Sequence, residues 1–235
     1  NKIDIENVSR VKLKEKYFDV NLTGGLGYPS LATYTSLTST KHLTIMKKLG
    51  FSSYWMEVSS SQGTNFSDIL LANRYVIVSK NEQSDINESD ILYQNKDYYI
   101  IENKNAFYPV FRISGQTAEL IESIPEMNRI DIQNYLFSAI TGEEINIFDE
   151  YFPDEVSTDS IKYSVNVSGR QRLYFDYFNE VTNRLTEPIN DTFKIHVNNS
   201  IIIESYPNKR INGIVDLGEF ENETVYIDVN ILKPI

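Results

Sequence analysis

The sequence predicts an α+β fold, with a mixed α/β N-terminal domain over residues 1–155 and an all-β, sandwich- or jelly-roll-like module over 156–235. Three observations predict it. Before residue 145, two segments carry helical periodicity with stop signals, and strand-like runs alternate with them. An acidic stretch at 143–159 then divides the chain. From residue 161 onward every periodic segment has strand character, with turn residues at short intervals.

Residues 3–22 read as one or two strands, alternating around Val11 and Leu13 and continuous over Tyr17–Val20. A glycine-rich turn follows at Gly24, Gly25, Leu26 and Gly27. Residues 39–50 give the clearest helix: Ser39 or Thr40 caps it, and Leu43, Met46 and Leu49 share a face. Lys47 and Lys48 suit its negative end, and Gly50 suits a left-handed stop. Ser67–Asn73 reads as a short helix feeding the buried strand Tyr75–Val78, and 80–90 as a polar loop. Strands are expected at Tyr98–Glu102 and Tyr108–Ile113, the second starting at a sheet edge because Pro109 lacks an N–H. A second helix is expected over Asp131–Ile140, with Ile132, Leu136, Phe137 and Ile140 inward and Gly142 as its stop. The strands of the last module are expected at Ile161–Val167, Arg172–Phe178, Phe193–Val197, Ser200–Glu204 and Thr224–Leu232. Turns fall at Asn166–Gly169, Asn198–Asn199, Tyr206–Lys209 and Asn212–Gly213.

A chain of 235 residues with 41% hydrophobic side chains, 16 of them Tyr and 12 Phe, has the means to bury a core. Its 33 acidic residues outweigh 22 Lys and Arg, a net charge of -11 that repels nucleic acid. The same balance makes anionic lipid a poor direct ligand, although a tether can hold such a domain beside a membrane. With 0 cysteines, disulfides, thiolate metal sites and a cysteine nucleophile are all excluded. No run of about 18 apolar residues is present to span a bilayer, and no signal peptide opens the chain. Both ends read as cut from a longer polypeptide, since Asn1–Ile5 already looks like strand and Ile231–Ile235 stops just after one.

Several familiar sites are excluded by residue type. His42 and His196 sit in different modules without metal-ligand spacing, and no cofactor or metal is expected. No Gly-x-Ser-x-Gly elbow occurs, and the glycines at 24–27 are not followed by the Lys-Ser/Thr of a phosphate loop. The acidic stretch, with Asp149 and Glu150, lacks the order of a calcium loop and reads as a solvated linker. The sequons at Asn21, Asn65, Asn166 and Asn190 follow from a high Asn content.

What remains is a short set of ligand-binding candidates. Trp55, the 1 tryptophan, lies with Tyr54 and Phe51 just after the first helix, either as a stacking platform for sugars or as a hydrophobic plug. Arg74 and Arg129 could grip a phosphate or carboxylate bidentately, or pair with one of the many acids.

Four stretches in order carry a family resemblance. They are Gly27–Ser36 with the helix ending at Gly50, Asp68–Val78, Tyr98–Phe111, and the helix from Asp131 through Gln133 and Asn134 to Gly142. Together they resemble the YfhO family of polytopic bacterial membrane proteins, and the β-rich tail is similar more loosely through Tyr174–Phe178 and Asn212–Gly218. One position departs from the pattern: Asn73 stands where the family suggests a small apolar residue. The resemblance implies a GT-C-type membrane glycosyltransferase that moves sugar from an undecaprenyl-phosphate carrier to an envelope polymer such as lipoteichoic acid. It implies that this chain is a soluble extracytoplasmic domain, partnered by the transmembrane region of the same polypeptide. It also implies that no residue here is catalytic. A stand-alone carbohydrate-binding or adhesion module and a secreted glycoside hydrolase using paired carboxylates are the alternatives.

Overall fold

The computed structural model describes residues 9–14, 21–59, 61–80, 90–108, 112–122, 127–177 and 192–233. In chain order the first part contains β1 (Arg10–Lys14), α1 (Leu22–Gly25), β2 (Thr33–Tyr34), α2 (Thr40–Lys48), β3 (Ser52–Tyr54), β4 (Glu57–Ser59), α3 (Asn65–Leu70) and β5 (Asn73–Ser79). It continues with β6 (Ile91–Gln94), β7 (Tyr98–Glu102), α4 (Gly115–Glu122) and α5 (Arg129–Thr141). The β-rich part follows, with β8 (Glu155–Val156), β9 (Ser160–Asn166), β10 (Arg170–Phe175), β11 (Phe193–Val197), β12 (Ser200–Tyr206), β13 (Val215–Glu221) and β14 (Thr224–Ile231). The architecture is α+β, as the patterning predicts.

The helices follow their apolar periodicity, and the capping expected at Ser39 is not made: its side chain forms no capping hydrogen bond to α2. Ser39 is extended at the start of α2, and Gly50 takes φ +90 just beyond its end. Leu43, Met46 and Leu49 are buried against Leu31, Phe51, Val58, Phe66, Ile132 and Leu136. Each such side chain stabilises the fold by about 1.5–3 kcal/mol. α3 starts at Asn65, earlier than the Ser67 expected, because Thr64 and Ser67 cap one another reciprocally. Asn128 caps α5 by accepting from the Asp131 N–H, and Gly142 closes it in the left-handed region.

Several features depart from the sequence reading, among them β6, which was not expected, and β8, which lies inside the acidic stretch read as a linker. The glycines at 24–27 belong to a one-turn helix and the turn after it, not to a turn alone. β2, β4 and β3 form a small antiparallel sheet whose strands are too short to show a period. The expected strand at Tyr108–Ile113 is irregular at Tyr108, Arg112 and Ile113, and Ser114 instead caps α4 by accepting from the Thr117 N–H. β13 was masked in the sequence by Gly218, which sits at φ +116 where its register with β10 shifts. The readings at Tyr17–Val20, 81–89, Pro109, Phe178 and Asn190 lie outside the described residues.

β1, β5, β7 and β6 form a four-stranded sheet in that order, with β1 and β5 parallel and the other neighbours antiparallel. In the β-rich part, β12-β11-β14-β9-β8 make a five-stranded antiparallel sheet, and β10 pairs with β13. Inward residues of both sheets, including Leu173, Phe193, Ile195, Leu217, Val225 and Val229, share one apolar core in a sandwich-like arrangement.

A polar seam joins the two parts. Ser52 on β3 accepts from the N–H groups of Asn212 and Gly213 at 2.8 and 3.0 Å, while Asn212 Oδ1 accepts from Ser53 N–H at 3.1 Å. Ile214 N–H donates to Gly50 O at 2.7 Å, and Gly63 N–H donates to Ile214 O. A Cβ at Gly213 would lie 2.2 Å from Gly50 O and 2.7 Å from Ser52 N, so only glycine permits this approach of two backbones. Beside it, Arg129 of α5 is wholly buried, donating to both carboxylate oxygens of Asp176, to Asn212 O and to the Tyr206 hydroxyl. Lys14 and Arg172 converge on Asp216, and the Asn65 N–H at the start of α3 donates to the Tyr174 hydroxyl at 3.0 Å.

Candidate functional site

The seam sets the position of the small β2-β4-β3 sheet, and the tip of that sheet is where unusual surface collects. Tyr54 pairs with Glu57, so Trp55 and Met56 alone bridge β3 and β4. Trp55 adopts φ +57, a region that costs a non-glycine residue on the order of 1–2 kcal/mol, and its side chain is 57% exposed. The two-residue connection itself demands a positive φ at this position. Asn21 fastens the neighbouring segment, accepting from Tyr34 N–H and donating to Tyr34 O, while Thr35 N–H donates to Met56 O. These bonds gather Leu22, Tyr34 and Trp55 at the turn end of the small sheet. Leu26 and Leu37 extend the tip and are 64% and 93% exposed.

The sequence candidates take distinct positions. Phe51 is fully buried in the core under the sheet, where it acts as a plug and offers no face for stacking. Tyr54 is half-buried, with the Lys209 ammonium 5.7 Å from its ring centroid. Arg74 lies on β5 with its guanidinium 5.4 Å from the Tyr108 ring centroid. Arg129 is the internal tie described above. Burial works against its charge, and the Asp176 carboxylate and Tyr206 hydroxyl outweigh that, raising its pKa. Trp55 and Tyr54 are therefore adjacent, whereas Arg74 and Arg129 sit on other elements. His42 is exposed on α2, and His196 lies opposite Asp228 on the β11–β14 pair. Asp149 and Glu150 are exposed.

Sequence reasoning missed two charged features of the interior. Lys47, expected only to complement a helix end, is fully buried. Burial, and then repulsion from Arg129, lowers its pKa to about 7. Asp216 would be raised by burial, but Lys14 and Arg172 hold it down at about 2. The Lys47 signal was available in principle: it follows Met46 and falls beside the apolar stripe of α2. Asn73, the departure noted in the sequence, is buried and donates to Asp68, which is ion-paired to Lys12 at 2.8 Å. A polar residue there completes a network that an apolar one would leave short of a donor.

A cleft of about 800 Å³ opens between α5 and the segments flanking α4, lined by Phe107, Tyr108, Arg112, Gln116, Ser138 and Thr141 among others. Among its described lining residues, only Tyr108 and Arg112 ionise. Among the described residues, no three His, Asp or Glu side chains converge in metal-binding geometry.

The family model described as bacterial membrane protein YfhO matches residues 21–234. The chain belongs to the YfhO family. No curated protein and no solved structure matches it. This is a family of membrane proteins, and the tip and seam described above both fall within the matched residues of this YfhO chain. Among the described residues, no helix is long and apolar enough to cross a membrane.

Proposed function

We propose that this YfhO-family chain is the extracytoplasmic accessory domain of a polytopic membrane glycosyltransferase. In this reading the parent enzyme transfers sugar from an undecaprenyl-phosphate carrier to an envelope polymer such as lipoteichoic acid. The domain positions the acceptor or stabilises the membrane part, and it supplies no catalytic residue. The observation that carries the reading is the family match across residues 21–234, in line with the four ordered stretches seen in the sequence. The proposal includes a division into a 1–155 domain and a 156–235 module.

Protease shaving of intact protoplasts, followed by detection with an antibody to this domain, tests both side and origin. The expected antigen is a membrane-bound band far larger than 27.2 kDa that is cut from outside. Loss of sugar from an envelope polymer in a deletion strain is the companion result. A released band near 27.2 kDa with unchanged envelope polymers sinks the proposal. The exposed indole of Trp55 beside Tyr54 favours one second reading, a stand-alone carbohydrate-binding module. Saturable binding of a soluble glycan, lost in Trp55→Ala, would support it.

A further inference from the structure

The tip of the β2-β4-β3 sheet differs in charge from the rest of the molecule. Residues 21–40 contain no Asp, Glu, Lys or Arg, and neither do residues 50–56, in a chain with net charge -11. Those two segments supply Leu22, Leu26, Tyr34, Leu37 and Trp55, the exposed apolar side chains gathered by the Asn21–Tyr34 and Thr35–Met56 hydrogen bonds. Among the described residues, the charges bordering the tip are mostly basic. Lys41 is exposed at the start of α2, and Lys209 and Arg210 are exposed on the seam loop, with Lys209 over the Tyr54 ring. Glu57 is half-buried at the foot of the hairpin.

We propose that this tip docks on the surface of an anionic phospholipid bilayer, with Trp55, Leu37 and Leu26 entering the boundary between headgroups and acyl chains and Lys41, Lys209 and Arg210 facing the headgroup phosphates. Tryptophan and tyrosine partition to that boundary because their rings are apolar and their N–H or O–H remains wet. Leucine adds apolar area, and basic residues beside it add attraction to anionic lipid that decays within a Debye length. A bilayer fits the patch better than a folded partner for two reasons. The apolar side chains sit on turns and a one-turn helix beside the turn end of the sheet and are exposed there, where they can enter a fluid layer without a matching groove. A family of membrane proteins also brings a bilayer within reach. Net charge argues against lipid contact for the chain as a whole, and the local surface reverses that argument at this one end. The inference rests on the family and the tip geometry and does not depend on sugar transfer.

Trp55 is the 1 tryptophan of the chain, so its emission reports on the tip alone. The 235-residue chain is mixed with vesicles of phosphatidylglycerol and phosphatidylethanolamine, and with the same vesicles carrying acyl-chain bromines. Docking predicts a blue shift, quenching by the brominated lipid, and co-flotation that weakens with salt. Leu37→Glu, at a side chain almost wholly in solvent, lowers vesicle affinity about tenfold or more while leaving the melting temperature unchanged. Lys209→Glu with Arg210→Glu weakens binding several-fold at low salt and less at high salt. Leu92→Glu, an exposed leucine on β6, serves as the control and leaves binding intact. The proposal is overturned if emission and flotation do not respond to vesicles, or if Leu37→Glu binds as well as the parent chain. It is also overturned if only a soluble glycan shifts the emission. Unaltered envelope glycosylation in a deletion strain would end the enzymatic proposal and leave this one standing.

Discussion

The apolar core of the β-rich part and the polar seam beneath it hold the same chain together by different means. In the core, Phe193, Ile195 and Val197 alternate inward along β11 and meet Val225, Ile227 and Val229 of β14, so burial follows the period of the strand. In the seam, the groups that matter are loop backbone, one glycine and long charged side chains drawn from distant parts of the chain. A core tolerates a lost methylene group because its contacts are many and individually weak. A seam of charge-assisted hydrogen bonds does not tolerate a lost partner, because the group left behind stays buried and unsatisfied.

Breaking the seam at its most enclosed point should therefore have the largest effect. Arg129→Ala removes the guanidinium donors facing Asp176 and Asn212 O and is expected to cost about 3–5 kcal/mol in urea unfolding. A loss under about 1 kcal/mol would show that Asp176 finds water and that the seam is softer than its geometry implies. Gly213→Ala follows, at about 1–3 kcal/mol, since its methyl group meets backbone on both sides and nothing nearby can rotate away. Insertion of the same methyl group with no change in stability would mean that the loop is not held against β3.

The pH dependence sharpens the comparison, because an apolar core has no protons to release. Lys47 has a pKa of about 7 in the fold against 10.5 ordinarily. Between those values the unfolded chain holds a proton that the folded chain lacks, so stability rises with pH across the window. The destabilisation is complete below about 7 and vanishes above 10.5. The slope is at most about 1.4 kcal/mol per pH unit. Lys47→Met should flatten it in unfolding curves taken from pH 7 to 9; an unaltered slope would assign the titration elsewhere. Ile195→Val in the core is the smallest change, expected at about 0.5–1.5 kcal/mol and independent of pH.

Legibility in the sequence divides along the same line. The helix over 39–50, the helix ending at Gly142 and the strand Phe193–Val197 were readable because each repeats a local rule over enough residues to be recognised. β2, β3 and β4 were not, since strands of two or three residues carry no period. Asn212–Gly213 read as a turn; it is an irregular bend, and its docking on Ser52 depends on a partner about 160 positions away. Trp55 and Tyr54 were singled out as a stacking platform, and the structure leaves Trp55 exposed and Tyr54 half-buried. Arg129 drew notice for its guanidinium, and nothing local to the sequence distinguished a surface grip from an internal tie. The absence of charge over 21–40 is a fact of the sequence, yet exposure does not follow from it, because an uncharged run can equally be core.

The sequence by itself determined the α+β class, the two longer helices and most of the longer strands, and the YfhO resemblance, all of which rest on patterns among near neighbours in the chain. Tertiary structure alone decided which charges are enclosed, which glycine two backbones require, and that Leu37 and Trp55 face solvent while Phe51 does not. Burial is a property of the whole packing, and side chains of similar hydrophobicity a few residues apart carry no local mark of which one the rest of the molecule will cover.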